Sequence, residues 1–179
     1  MLSTLDIDLT GRMNRFKTYL DRTKMVHNQY QYDGVRWILN NEIRDKPPHD
    51  IRGGFIADEM GLGKTIMMIG TLLCNFLPKT LIVVPPVLID QWFTQIYRTT
   101  GHKALIYHGD NKKRITHDTL NKATIVITTY GAITLTRKQL KTDTVTLLHK
   151  ISWNRVVFDE AHHLRNNRTT RHISAKKID

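Results

Sequence analysis

The chain has 179 residues, 40% hydrophobic and 24% charged, the composition of an ordinary globular domain that can bury a core. No apolar run reaches the length of a membrane span, and the opening "MLSTLDIDLTGRMNR" lacks the apolar core of a secretory signal, so an intracellular chain with no membrane partner is expected. Lys and Arg number 27 against 16 Asp and Glu, a formal net charge of +11 that favours nucleic acid as partner, because a basic surface gains affinity by displacing counterions from phosphates.

The first 26 residues are polar and basic with weak periodicity and read as a lead-in arm or irregular helix, with the main domain over 27–179. "YQYDGVRWILNNEI" (30–43) places Val35, Ile38, Leu39 and Ile43 at helical spacing, and Pro47 and Pro48 end that helix. "GGFIA" (53–57) reads as a short strand. "KTIMMIGTLLCNFL" (64–77) is apolar nearly all round, which predicts a buried helix, with the single cysteine, Cys74, as a buried thiol in reducing surroundings. "TLIVVP" (80–85) is a β-branched strand and "VLIDQWFTQIYR" (87–98) a helix that stops near Gly101. "KALIYHG" (103–109), "ATIVITTY" (123–130) and "NRVVFDE" (154–160) are further strands. Continuous β-branched runs separated by helices imply an α/β fold with a mostly parallel sheet covered on both faces, and nucleotide chemistry at the carboxyl ends of its strands. Basic residues cluster at "GRMNRFK" and "DRTK" near the start, at "NKKR" (111–114), at "TRKQLK" (136–141) and through "LRNNRTTRHISAKK" (164–177).

Two stretches carry chemistry. In "DEMGLGKT" (58–65) a strand is expected to end, a glycine turn to follow and a helix to begin. Gly61 and Gly63 allow peptide N–H groups to come close to a ligand, and the helix start is an anion site. Lys64 would reach the β- and γ-phosphates of ATP, and the Thr65 hydroxyl would hold Mg²⁺. The general pattern G-x-x-x-x-G-K-[ST] has Asp58 in place of its first glycine. "RVVFDEAHHL" (155–164) supplies the acidic partner: Asp159 at a strand end to hold Mg²⁺, and Glu160 to orient and deprotonate the attacking water. The adjacent histidines 162 and 163 lack metal-ligand spacing.

"GGFIADEMGLGKT" and "VVFDEAHHLRN" resemble motifs I and II of the Swi/Snf-type ATPases, the double-stranded-DNA translocases of helicase superfamily 2, where Asp58 in this loop is usual. "YQYDGVRW" (30–37) resembles the glutamine motif, "LIVVPPVLIDQW" (81–92) motif Ia and "VITTYGAI" (126–133) motif Ib. "YHG" (107–109) and "SWNRVVFDEAHHLRN" (152–166) look closest to the branch with RING-bearing DNA-repair translocases. The resemblance implies a RecA-like P-loop lobe that binds ATP and Mg²⁺. It assigns nucleotide contact to Gln31 (the adenine edge), Asp58, Glu59, Met60, Gly61, Leu62, Gly63, Lys64 and Thr65, with Lys64 and Glu160 catalytic. It puts Pro85, Gln91, Thr128 and Thr129 near the phosphates of one strand of duplex DNA, and makes His162 the link from the ATP site to motif III. Trp37, Trp92, Tyr130 and Trp153 read as packing aromatics.

The match departs at His27-Asn28, where a Leu-Arg often precedes the glutamine motif, and at His163, often arginine. The sequence stops at Asp179, before the motif III strand and the second RecA-like lobe that carries the arginine fingers. The expected function is the amino-terminal ATP-binding lobe of a DNA translocase of chromatin remodelling or DNA repair, with little turnover by itself, nuclear if the source is eukaryotic. A non-catalytic DNA-binding or adaptor protein on a nucleotide fold, and an RNA helicase lobe, are the alternatives.

Overall fold

Four of the five expected strands and all three expected helices form. The computed structural model describes residues 4–44, 52–59 and 61–178, with side chains from Leu9 onward, and the chain divides into two units, Met1–Phe76 and Leu77–Asp179. Met60 and the Pro47-Pro48 stop lie outside the described residues.

The first unit is helical. Residues read as a lead-in arm form a regular helix, α1 (Thr4–Thr23), followed by α2 (Gln29–Ile43) and α3 (Lys64–Cys74). Phe16 and Leu20 on α1 and Val35 and Leu39 on α2 are buried at i,i+4 spacing, whereas Met67, Ile69 and Leu72 on α3 are buried on more than one face of that helix. Gly70 gives α3 room against α1: a Cβ there would sit 2.5 Å from Cδ2 of Phe16. Arg12 ties the end of α3, donating to the Cys74 carbonyl at 3.3 Å and to Oδ1 of Asn75 at 3.1 Å, while Asn75 donates to Oε2 of Glu42 on α2 at 2.9 Å. Cys74 is a buried free thiol, as expected, and burial pushes its pKa up to about 11.

The strand expected over 53–57 does not form; residues 52–59 carry no regular structure. Gly53 and Gly54 have no side chains to pack, Phe55 stands 85% exposed, and no strand pairs with the segment among the described residues. Trp37 is likewise not a core residue. It is 45% exposed, and its ring lies on Gly54, where any Cβ would collide with it.

The second unit is the parallel sheet, in the order β2-β3-β1-β4, with β1 at Thr80–Val84, β2 at Leu105–Tyr107, β3 at Ile125–Thr129 and β4 at Arg155–Phe158. Every described pairing is parallel: Leu81 faces Val126 and Val156, and Val83 faces Thr128 and Phe158. The central strands β1 and β3 are buried along their whole length, whereas edge strands β2 and β4 are only partly covered. Alternation sends Leu81, Val83 and Val126 into a core with Tyr107, Leu120, Tyr130, Ile133, Leu148 and Trp153. Helix α4 (Ile89–Thr100) follows β1 and packs against β3 with Trp92 and Ile96 buried; it ends at Gly101, whose φ of 73° gives the left-handed stop.

Four short helices complete the unit: α5 (His117–Lys122), α6 (Tyr130–Ile133), α7 (Arg137–Lys141) and α8 (Thr170–Ala175). Their runs are too short and too polar for periodicity to reveal; three begin with a threonine cap, at Thr116, Thr136 and Thr169. Ser174 fixes α8, accepting from the Leu135 amide at 2.8 Å while its carbonyl meets Nε2 of His149 at 3.1 Å.

Gly70→Ala is expected to destabilise the first unit by about 1–3 kcal/mol although alanine is the better helix former, because the added methyl overpacks the Phe16 ring. Urea unfolding of the two proteins measures the difference.

Candidate functional site

The first unit holds the glycine loop. The turn before α3 is built on Gly61 (φ 88°) and Gly63 (φ 78°), the latter the residue that caps α3, so Lys64 and Thr65 open the helix. Gly63 is required twice over: its φ is left-handed, and a Cβ would stand 2.6 Å from Nε2 of Gln31. That Nε2 donates to the Leu62 carbonyl at 3.2 Å, and Gln31 is buried at 4% exposure. Lys64 folds back on the loop, its Nζ donating to the carbonyls of Asp58 at 2.8 Å and Glu59 at 3.0 Å. The unit thus brings Gln31, Asp58, Glu59, Leu62, Gly63, Lys64 and Thr65 together. An anion could take the ammonium from two neutral carbonyls, since a charged acceptor makes the stronger hydrogen bond.

The second unit holds the acidic pair. β4 ends as the Asp159 amide donates to the Val83 carbonyl at 2.9 Å. The Asp159 carboxylate accepts at Oδ2 from the Trp92 indole Nε1 at 2.8 Å and at Oδ1 from the Glu160 amide at 3.0 Å, and its carbonyl accepts from the Tyr130 hydroxyl at 2.7 Å. Glu160 is left-handed (φ 53°, ψ 50°), an unusual conformation for a side chain with a Cβ, so the chain turns sharply out of the strand. Its Oε2 lies 3.1 Å from Nδ1 of His162. The rings of His162, His163 and Tyr130 follow one another at 4.5 and 4.9 Å, and the Arg171 guanidinium from α8 stands 5.9 Å over Tyr130. Burial, then the neighbouring His162 and Arg171, hold His163 below the ordinary histidine pKa. Among the described residues no group of three or more His, Cys, Asp or Glu could hold a metal ion.

The residues expected near DNA fall into two kinds. Pro85, half-buried, enters the turn Pro86–Leu88 before α4, and Gln91 is exposed on that helix. Thr128 is different: it is fully buried, and its hydroxyl donates to the Tyr107 carbonyl at 2.8 Å. That hydroxyl belongs to the sheet. Thr129 is also buried, with its hydroxyl 3.4 Å from Nδ1 of His108.

A parallel sheet flanked by helices, with an acidic pair at the carboxyl end of β4, is the RecA-like architecture of a helicase ATPase core. Residues 30–179 match the SNF2-related domain, and the chain belongs to that family. It is 34% identical over 157 residues to "ATP-dependent DNA helicase DDM1" of Arabidopsis thaliana, covering 78% of this chain and 18% of that protein. It is 32% identical over 174 residues to "DNA repair protein rad8" of Schizosaccharomyces pombe, covering 82% of this chain and 15% of the relative. Identities this close do not separate one branch from another. The Sulfolobus solfataricus SWI2/SNF2 ATPase core in complex with dsDNA superposes with a TM-score of 0.64 at 25% identity, covering 84% of this chain and 29% of that one. The chain therefore spans less than a fifth of the length of these two curated relatives.

Sequence reading placed Trp92 and Tyr130 in the core, where they are, and missed that both hold Asp159. The available signal was chemical: a buried indole N–H or phenol needs an acceptor. Arg171 and α8 gave no signal beyond basic charge.

Tyr130 makes the second unit's stability pH-dependent. Burial first, then the charges of Asp159 and Glu160, raise its pKa above 10.0. The folded state keeps a proton that the unfolded state releases, so this contribution is full below pH ~10 and is lost as pH rises further. Tyr130→Phe is expected to cost about 1 kcal/mol at neutral pH by leaving the Asp159 carbonyl without its donor, and to flatten the alkaline fall in stability. Urea midpoints measured across that range check both effects.

Proposed function

We propose that this chain is the amino-terminal ATP-binding lobe of a Swi/Snf-type DNA-dependent ATPase, a translocase of the chromatin-remodelling or DNA-repair kind. The observation that carries the reading is the start of α3. Left-handed Gly63 ends the loop, and Lys64 and Thr65 open an 11-residue buried helix, so the first-turn amides and the positive helix end lie at the residue that carries the ammonium.

In this reading the amides of 61–65 and Lys64 cradle the phosphates, Asp58, Glu59, Met60 and Leu62 complete the loop, and Gln31 fixes the loop from below and reads the adenine edge. The Thr65 hydroxyl of the first unit and the Asp159 carboxylate of the second are each assigned to Mg²⁺ in this reading, and each is a hard oxygen donor of the kind that ion prefers. When bound, Mg²⁺ would neutralise charge on the transferred phosphoryl group. Glu160 orients the attacking water and takes its proton, and His162, bonded to Glu160, relays the state of that carboxylate. Pro85 and Gln91 approach the backbone phosphates of duplex DNA, with Thr128 and Thr129 shaping the strand end behind them; contacts of this kind are salt-sensitive and independent of sequence. A second RecA-like lobe is the expected partner. An intracellular setting, nuclear in a eukaryote, goes with these partners.

The 179-residue chain by itself is expected to bind ATP–Mg²⁺ weakly and to turn over slowly, since transition-state arginines of the kind assigned to the second lobe contribute on the order of 10³–10⁵ in rate. Calorimetric titration with magnesium ATP should show binding that Lys64→Ala abolishes; unchanged affinity in that variant would remove the site assignment. Duplex-DNA affinity indifferent to both ATP and Lys64→Ala would favour a non-catalytic DNA-binding role instead, and preference for RNA an RNA helicase lobe.

A further inference from the structure

Trp92 fills a core position, and packing alone does not require tryptophan there. It is 1% exposed, so its indole N–H has no access to water and must find an acceptor in the protein. The acceptor is Oδ2 of Asp159, 67 residues away in sequence, at 2.8 Å. The other carboxylate oxygen, Oδ1, takes the Glu160 amide at 3.0 Å. Two donors from two separate elements, the side of α4 and the turn after β4, therefore meet the two oxygens of one carboxylate. One donor would leave the carboxyl plane free to swing about its bond to the backbone side; two set both its plane and which oxygen faces which way. The Tyr130 hydroxyl on the Asp159 carbonyl at 2.7 Å and the Asp159 amide on Val83 at 2.9 Å hold the backbone beneath it.

We infer that Trp92 is a positioning residue, whose indole N–H holds the Asp159 carboxylate in the orientation that receives magnesium nucleotide. This rests on the reading of Asp159 as the metal-side carboxylate. Groups that orient metal ligands from behind contribute strongly to affinity without touching the metal, and their loss costs about 10–100-fold in metal binding. Phenylalanine at 92 would keep most of the packing and lose only the donor. The Asp159 carboxylate would then be fixed by the Glu160 amide alone. Nucleotide affinity without magnesium would be unaffected, because the carboxylate acts on the nucleotide only through the metal.

The test uses the 179-residue chain labelled with ¹⁵N. It has three tryptophans, so Trp37→Phe and Trp153→Phe identify two indole N–H resonances and leave that of Trp92. A non-hydrolysable ATP analogue is titrated first with EDTA and then with Mg²⁺, and the Mg²⁺ concentration at half-maximal tightening of nucleotide binding is measured for wild type and Trp92→Phe. The Trp92 resonance should move on adding Mg²⁺ but not with nucleotide in EDTA. Trp92→Phe should raise the Mg²⁺ midpoint about 10-fold or more at unchanged Mg²⁺-free affinity. Magnesium-dependent nucleotide binding with a stationary Trp92 resonance and an unshifted midpoint in Trp92→Phe would overturn the inference and leave the proposed function standing. If Trp92→Phe does not fold, the wild-type resonance decides by itself. No nucleotide binding by wild type would overturn the proposed function, and this inference with it.

Discussion

The Asp159 amide donating to the Val83 carbonyl is the last rung of the parallel ladder, and the placement of the acidic pair depends on it. A parallel sheet ends all its strands on one side, so whatever follows β4 emerges beside the ends of β1 and β3. The side chain that emerges there is a carboxylate. It does not drift in solvent as a strand-end aspartate ordinarily would, because Trp92 and Glu160 occupy both of its oxygens. The left-handed Glu160 then turns the chain away within one residue, which leaves the second carboxylate directed separately from the first and within reach of His162. Strain of this sort persists only where the surroundings over-determine it, and here sheet, indole and phenol do so.

In the first unit the corresponding constraint is steric. Gln31 fills the space that a side chain at residue 63 would occupy, so glycine is demanded both by its φ and by its neighbour. The same amide bonds the Leu62 carbonyl, which makes the glutamine of α2 a support for the loop as well as a candidate base contact. Lys64 rests on the two carbonyls behind it, which are neutral acceptors. Buried helix α3 then anchors the loop to the rest of the unit through Met67, Ile69 and Leu72.

Much of this was legible in the residues. β1 and β3 are continuous β-branched runs because both their faces are covered, and that is the pattern composition reveals best. α2, α3 and α4 follow their apolar spacing, and Gly101 ends α4 where a glycine was expected to. The failures have physical causes. "GGFIA" has strand-like residues, but pairing and not propensity makes a strand, and no neighbour pairs with it among the described residues. Trp37 looked like core because tryptophan usually is, yet its cover is a glycine that offers no side chain to bury it. Thr128 was read by its place in a motif, while its hydroxyl is committed to the neighbouring strand. The ties from Trp92 and Tyr130 to Asp159 join residues far apart in sequence, and no local pattern carries such information.

The start of α3, where left-handed Gly63 gives way to Lys64 and Thr65, is the proposed seat of a nucleotide's phosphates. The most direct test is a backbone amide NMR titration of the chain with magnesium ADP. The amides of Gly61, Gly63, Lys64 and Thr65 should shift together along a single saturation curve. Saturable binding that leaves these amides unmoved would contradict the proposal.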